Sequence, residues 1–255
     1  MLVGLSHDAD SIRRSFKHVW KVRHRFTLKQ IVSHALGIRN LYNNFVELME
    51  LEEKHGVRST FFIPVVFFSL DELEDVLKEL VKGGWEIGLH YVAEPIQRRA
   101  LLRLEKTMLE EKIEHTVNGV RTHNLAVNKE LLRLYAEEGF IYDSSYRMEE
   151  VGQSTPFMIS SEVSLTEVPI GVMDTDLFGR LHLSENKALR YVLHKLRTCK
   201  EAGEKAFTLL FHQESYSMKG GRIYSKILEE VVSSTEAYKI SELLDKLRER
   251  SVEEA

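Results

Sequence analysis

Four short polar clusters in this chain each follow directly on an apolar run, and together they hold carboxylates, imidazoles and a guanidinium. The first is Ser6-His7-Asp8-Ala9-Asp10, after Leu2-Val3-Gly4-Leu5. The second is Glu86-Ile87-Gly88-Leu89-His90-Tyr91, with Glu94 a helical turn's spacing beyond His90. The third is Gly119-Val120-Arg121-Thr122-His123-Asn124, and the fourth Phe207-Thr208-Leu209-Leu210-Phe211-His212-Gln213-Glu214. Two carboxylates as close as Asp8 and Asp10 at the end of a buried strand are costly unless a cation or hydrogen bonds compensate them. An ordinary loop or helix cap needs only one.

If these strand tips converge, Asp10, His90 and a second histidine make a mixed nitrogen and oxygen donor set. Such a set suits Zn²⁺, and also Co²⁺, Mn²⁺ or Ni²⁺, with positions left for water and substrate. Asp8 then remains as a general base and His212 as a general acid on the opposite side. That division of labour is what metal-assisted hydrolysis of an amide or ester requires.

In order and in wording, these motifs resemble those of the polysaccharide deacetylases (the NodB-homology or carbohydrate esterase family 4 group), in the branch whose first motif reads His-Asp-x-Asp. The resemblance spans roughly residues 2–216. It implies Asp8 as catalytic base, Asp10 and His90 as metal ligands, and Arg121 as the arginine that orients the base. Val168-Pro169-Ile170 followed by Asp174 and Asp176 is similar to the fourth motif, implying Asp174 as the partner that polarises the catalytic histidine. Leu209-Leu210-Phe211-His212 fits the fifth, implying His212 as the acid. Phe140-Ile141-Tyr142-Asp143-Ser144-Ser145 resembles a segment frequent in the family and is read as structural. The family's second motif continues to another histidine where this chain has Glu94. The third ligand is therefore Glu94 or His123, and the expectation falls on His123, whose strand already carries Arg121 toward the site. His123-Asn124, Leu177 and Gln213 stand where the family has a proline and an aromatic residue, a tryptophan and a proline, so the substrate groove is expected to differ from that of a chitin or peptidoglycan deacetylase. The implied activity is removal of an acetyl group from an N-acetylated sugar or saccharide. Hydrolysis of another amide, an ester or a glycosidic bond is the alternative, as is a non-catalytic module that binds carbohydrate or a polyanion.

The elements that must carry these residues alternate along the chain. Apolar runs at Leu2–Ser6, Ser59–Val65, Glu86–His90, Gly119–Thr122, Ile141–Asp143, Ser164–Pro169 and Ala206–His212 read as strands. Helical patterns occupy Leu41–Lys54, Leu70–Lys82, Gln97–Lys112, Asn128–Glu138, Asn186–Ala202, Arg222–Ser233 and Ser241–Arg250. In the first of these Leu41, Phe45, Leu48 and Leu51 share one face. Gly56, Gly83-Gly84, Gly139 and Gly203 follow helices and suit left-handed caps. This is an α/β pattern of about seven βα repeats without a composition break, expected to form one domain over residues 1–255. Pattern alone does not separate a barrel from an open sheet; a barrel is slightly preferred because the reactive residues sit at the C-terminal ends of the strands, where barrels assemble their sites, and the family resemblance implies a distorted (β/α)7-type barrel.

The 255 residues carry 35 Lys and Arg against 39 Asp and Glu, a net charge of −4, so the chain as a whole is no nucleic-acid polycation. A single cysteine, Cys199, excludes an internal disulfide and any zinc site built from cysteines; a buried, inert thiol is expected. With no long apolar run and no signal-like start, the sequence reads as a soluble cytoplasmic protein without a membrane span. One excursion, residues 11–40 after the first strand, has no acidic side chain but holds Arg13, Arg14, Lys17, Lys21, Arg23, Arg25, Lys29 and Arg39. It reads either as a solvated irregular loop or as a positive lip that attracts an anionic substrate. His7 is expected to pack or to support a ligand, and His115, His182 and His194 receive no role.

Overall fold

All seven expected strands form, and three short ones join them. The structure, a computed structural model, describes residues 1–92, 98–160 and 163–253. Among these residues one sheet contains β1 (Leu2–Asp8), β2 (Thr60–Ile63), β3 (Glu86–Tyr91), β4 (Gly119–Thr122), β5 (Tyr142–Asp143), β6 (Phe157–Met158), β7 (Thr166–Glu167), β8 (Ile170–Met173), β9 (Ala206–Leu210) and β10 (Glu236–Tyr238). Their order is β6-β7-β5-β4-β3-β2-β1-β9-β8, with β10 paired to the start of β1. Every pairing is parallel except β6 with β7. A parallel bridge from Arg147, just beyond β5, to Ile170 of β8 brings the β5 side of the sheet round to β8. β1 to β5, β8 and β9 thus curl into a distorted (β/α) barrel.

The expected strand Ser164–Pro169 is shortened to β7, and β8 follows it as a separate strand. β7 pairs with β5, and β8 then pairs with β9. Pro169 lies between them, where its missing N–H cannot serve a ladder. The expected helix Leu41–Lys54 begins only at Phe45. Asn40 Oδ1 accepts from the Tyr42 N–H, and Asn44 donates from Nδ2 to the Leu41 carbonyl, so side chains hold a turn where a helix was read. Gly56, Gly84, Gly139 and Gly203 all have positive φ at the ends of their helices, as expected; Gly83 does not.

Period-two alternation sorts the strand residues. Val3, Leu5, Ile87, Leu89, Val120, Phe207 and Leu209 turn outward and pack with the helices in the main core, each burial stabilising by roughly 1.5–3 kcal/mol. Inside the barrel, Leu2, Phe62, Tyr142, Val168 and Ala206 close the floor together with Ile240, Leu243 and Leu244 of the helix Ile240–Glu253. His7 has the outward parity. Its Nδ1–H donates to the Phe211 carbonyl (2.7 Å), and Nε2 lies 2.7 Å from Glu52 Oε1. Glu52 also accepts from Ser59, Trp85 and Tyr224; His7 first, then Tyr224 and Trp85, outweigh burial and hold its carboxyl below the usual range.

A second buried acidic pair, Asp143 and Glu167, sits face to face on β5 and β7. Burial pushes Asp143 up to about 6, and burial plus the Asp143 charge pushes Glu167 well above its ordinary value. Burial and mutual repulsion therefore both favour keeping a proton on the pair. For carboxyls raised in the fold, the stabilisation is complete below their unfolded values of 3.8 and 4.5 and is lost as pH rises through the folded ones. Glu167→Gln keeps a hydrogen-bond donor without the second ionisation. Urea unfolding is expected to show this variant gaining stability over wild type as pH rises from about 4 to about 8, with the difference gone near pH 4. A difference independent of pH would mean that the pair does not titrate as described.

Candidate active site

At the C-terminal ends of the strands, alternation places Ser6 and Asp8 on the inner face of β1, and Asp10 follows at the same spacing. Arg121, completely buried on β4, reaches across the barrel to them. Its Nη1 donates to Asp8 Oδ1 (2.7 Å) and to Ser6 Oγ (3.2 Å); Nε and Nη2 donate to the Ser144 carbonyl and hydroxyl (both 2.7 Å). The Phe62 ring lies beneath the guanidinium at 4.1 Å. Every face of this cation is thus occupied, as a buried charge requires. Burial alone would raise the Asp8 carboxyl, but the Arg121 charge, helped by His90 and His212, holds it below the ordinary value.

Asp10 lies beside two imidazoles. Its Oδ1 is 3.1 Å from His90 Nε2 and 3.4 Å from His123 Nδ1, and the two ring nitrogens are 3.3 Å apart. All three atoms fall within 4.8 Å of one another. His90 Nδ1–H donates to the Arg121 carbonyl (3.1 Å), which turns Nε2 toward the cluster. Asp10 Oδ1 is itself buried and has no hydrogen-bond partner among the described residues. A buried carboxylate oxygen left without a donor, facing two imidazole nitrogens, is the environment of a bound cation. Asp10, His90 and His123 are a candidate metal-binding triad. Glu94, the other expected third ligand, lies outside the described residues.

His212 follows β9. Its Nδ1–H donates to Asp174 Oδ1 (2.7 Å), its backbone N–H to Asp174 Oδ2 (3.2 Å), and its Nε2 stands 3.7 Å from Asp10 Oδ2. Ser215 Oγ also donates to Asp174. Burial pulls the imidazole down, but Asp174 outweighs it and holds His212 well above the ordinary histidine value. Asp176 is engaged elsewhere, by Arg147 and Arg180.

The structure thus places the expected site residues Asp8, Asp10, His90, Arg121, His123, Asp174 and His212 near one another. The sequence reading quoted Ser6, Ser144 and Glu214 within its motifs but gave them no role at the site, and it did not single out Ser215. Burial pushes the Glu214 carboxyl up to about 8; His212 opposes that rise and Asp10 adds to it. Adjacency to His212 was the only available signal for Glu214. Two cavities flank the cluster. One, of about 440 Å³, is lined by Asp10, Arg13, Arg14, Phe67, Phe68 and His123. The other, of about 570 Å³, meets Asp174 and Ser215 on one side and His24, Arg25, Phe178 and Lys219 on the other. Both volumes suit a small ligand.

No protein-family model and no curated protein matches the chain. Solved structures do. A protein assigned to the polysaccharide deacetylases from Mycobacterium smegmatis superposes with a TM-score of 0.73 at 20% identity, over 98% of this chain and 91% of that one. PuuE allantoinase superposes at 0.69 and 15% identity, over 95% and 88%. A carbohydrate esterase family 4 pseudoenzyme from Bacillus anthracis gives 0.55 at 15%, over 95% and 65%. The fold is that of the NodB-homology polysaccharide deacetylases, in agreement with the resemblance carried by the motifs.

Proposed function

We propose that the chain is a metal-dependent hydrolase that removes an acyl group, acetyl in the simplest case, from an N-acylated sugar or saccharide. The observation that carries this reading is the placement of Asp8 and His212 around one candidate cation site: Asp8 Oδ2 is 3.8 Å from His90 Nε2, and His212 Nε2 is 3.7 Å from Asp10 Oδ2. Asp10, His90 and His123 would hold the ion, for which Zn²⁺ is the first candidate and Co²⁺, Mn²⁺ and Ni²⁺ the others. What a divalent cation supplies there is Lewis acidity, polarising the acyl carbonyl and making water easier to deprotonate.

Asp8 takes the proton of the attacking water. Its lowered pKa keeps it ionised, and Arg121 fixes the direction of its free oxygen. His212 gives a proton to the departing amine, and Asp174 keeps the imidazole charged and correctly turned. The base and the acid owe their different protonation states to these separate partners.

The test is release of acetate from N-acetylated mono- and oligosaccharides after chelation and re-addition of Zn²⁺, Co²⁺ or Mn²⁺. Activity is expected to vanish on chelation and to return with at least one metal. No turnover with any metal would overturn the reading. The allantoinase of the same fold puts allantoin on the substrate panel, and turnover of it but of no acetylated sugar would move the proposal to a different amide.

A further inference from the structure

The basic excursion is neither a loose loop nor part of the catalytic cluster. It forms two short helices, Phe16–Lys21 and Leu28–Ala35, begun by the Ser15 cap and the Thr27/Gln30 capping box. Val19 and Ile31 point inward and pack with Phe26, Leu41, Tyr42 and Met218. Gln30 Nε2 donates to the Ser217 carbonyl (2.8 Å), and Arg39 reaches Glu47 and Ser217, so the unit is fastened to the segment that follows His212.

The unit also leaves large apolar side chains uncovered by any of the described residues. Phe16 and Trp20 stand one turn apart; Leu28, Val32 and Leu36 occupy successive turns; Ile38 follows. All six are exposed, Leu28 at 77% and Ile38 at 75%. Single exposed apolar residues are ordinary, but six on so short a segment, with the Phe16 and Trp20 rings 6.0 Å apart, are a concentration that suits a partner surface. Around them Arg14, Lys17, Lys21, Arg23, Arg25 and Lys29 are exposed, and among the described residues none has an acidic partner. No Asp or Glu occurs between Asp10 and Glu47.

We propose that residues 16–38 form a docking surface for an anionic lipid bilayer, lying in the headgroup plane with Trp20, Leu28 and Leu36 in the acyl boundary and the lysines and arginines among the phosphates. Short amphipathic helices with aromatic and aliphatic residues on one face and unopposed cations beside them have this affinity. A second copy fits less well, because a two-fold contact through this face would set cations against cations. Peripheral binding needs no spanning segment, and none of the described helices is long and apolar enough to cross a membrane. The 570 Å³ cavity beside Asp174 shares His24 and Arg25 with this surface. A docked chain would therefore turn that mouth toward the lipid headgroups. The surface does not depend on the hydrolytic reading.

The chain carries its own probe. Of its two tryptophans, Trp85 is buried and bonded to Glu52, whereas Trp20 is 52% exposed. Phosphatidylcholine vesicles containing about one third phosphatidylglycerol should shift Trp20 emission to the blue and carry the full-length chain down on sedimentation. Pure phosphatidylcholine, or about 0.5 M salt, should weaken binding roughly tenfold or more. Leu28→Ser with Leu36→Ser, and separately Lys21→Glu with Lys29→Glu, should each lose about tenfold while thermal unfolding is unchanged, since all four residues lie on the surface. Equal binding to neutral and anionic vesicles, no binding to either, or variants that bind like wild type would overturn the proposal. So would a dimer in solution that the Leu28→Ser and Leu36→Ser changes dissociate, which would make this face a contact between copies.

Discussion

Asp8→Asn is expected to lower acetate release by about 10²- to 10⁴-fold, the range that a positioned general base contributes. Asn retains an oxygen that can accept from Arg121 Nη1, now 2.7 Å from Asp8 Oδ1, but it cannot take a proton from water. The substitution also strips the completely buried guanidinium of its counter-charge. Breaking a buried ion pair from one side can cost as much as about 3–5 kcal/mol; the retained hydrogen bond and the Ser6 and Ser144 contacts should keep the loss at the lower end. Activity and urea unfolding therefore have to be measured on the same preparation. A variant that is folded and inactive supports Asp8 as the base. One that is folded and retains more than about a tenth of the activity would remove Asp8 from that role.

His90→Ala and His123→Ala should each weaken divalent-metal binding beyond the roughly 10- to 100-fold typical of changes in the residues that merely support a ligand. Each deletes one of the three donor atoms gathered within 4.8 Å. His194→Ala, on an exposed helical position, should leave affinity untouched. Titration calorimetry with Zn²⁺ measures all three, and Glu94→Gln is expected to stay within about twofold of wild type. If His123→Ala binds normally and Glu94→Gln does not, the third ligand is Glu94.

The barrel and its site were legible for different reasons. The strands could be read because each is a short apolar run closed by a polar tip, and the caps at Gly56, Gly84, Gly139 and Gly203 because a left-handed residue favours glycine. Strand parity could even have settled His7. Ser6, Asp8 and Asp10 share one face of β1 and His7 takes the other, where Glu52 meets it. What escaped the sequence reading depended on distant partners. Ser144 matters because Arg121, on a neighbouring strand, needs two further acceptors; β8 separates from β7 because β9 lies beside it. Leu41 is buried, as read, but it stands in the asparagine turn before the helix and packs with Val19 and Ile31 rather than with Phe45 and Leu48, since periodicity sees burial and neither the turn nor the partner. The helices of the basic excursion, 6 and 8 residues long, are too short to be told from a loop by periodicity, and Thr27 and Gln30 announced the second of them.

The central claim is that strand tips distant in the chain meet around one ion. Anomalous diffraction at the zinc edge from crystals soaked in Zn²⁺ tests it directly. One peak is predicted, about 2.0–2.2 Å from an Asp10 carboxylate oxygen and from one ring nitrogen each of His90 and His123. No peak there, or a peak that leaves Asp10 or His90 out of reach, would contradict the account.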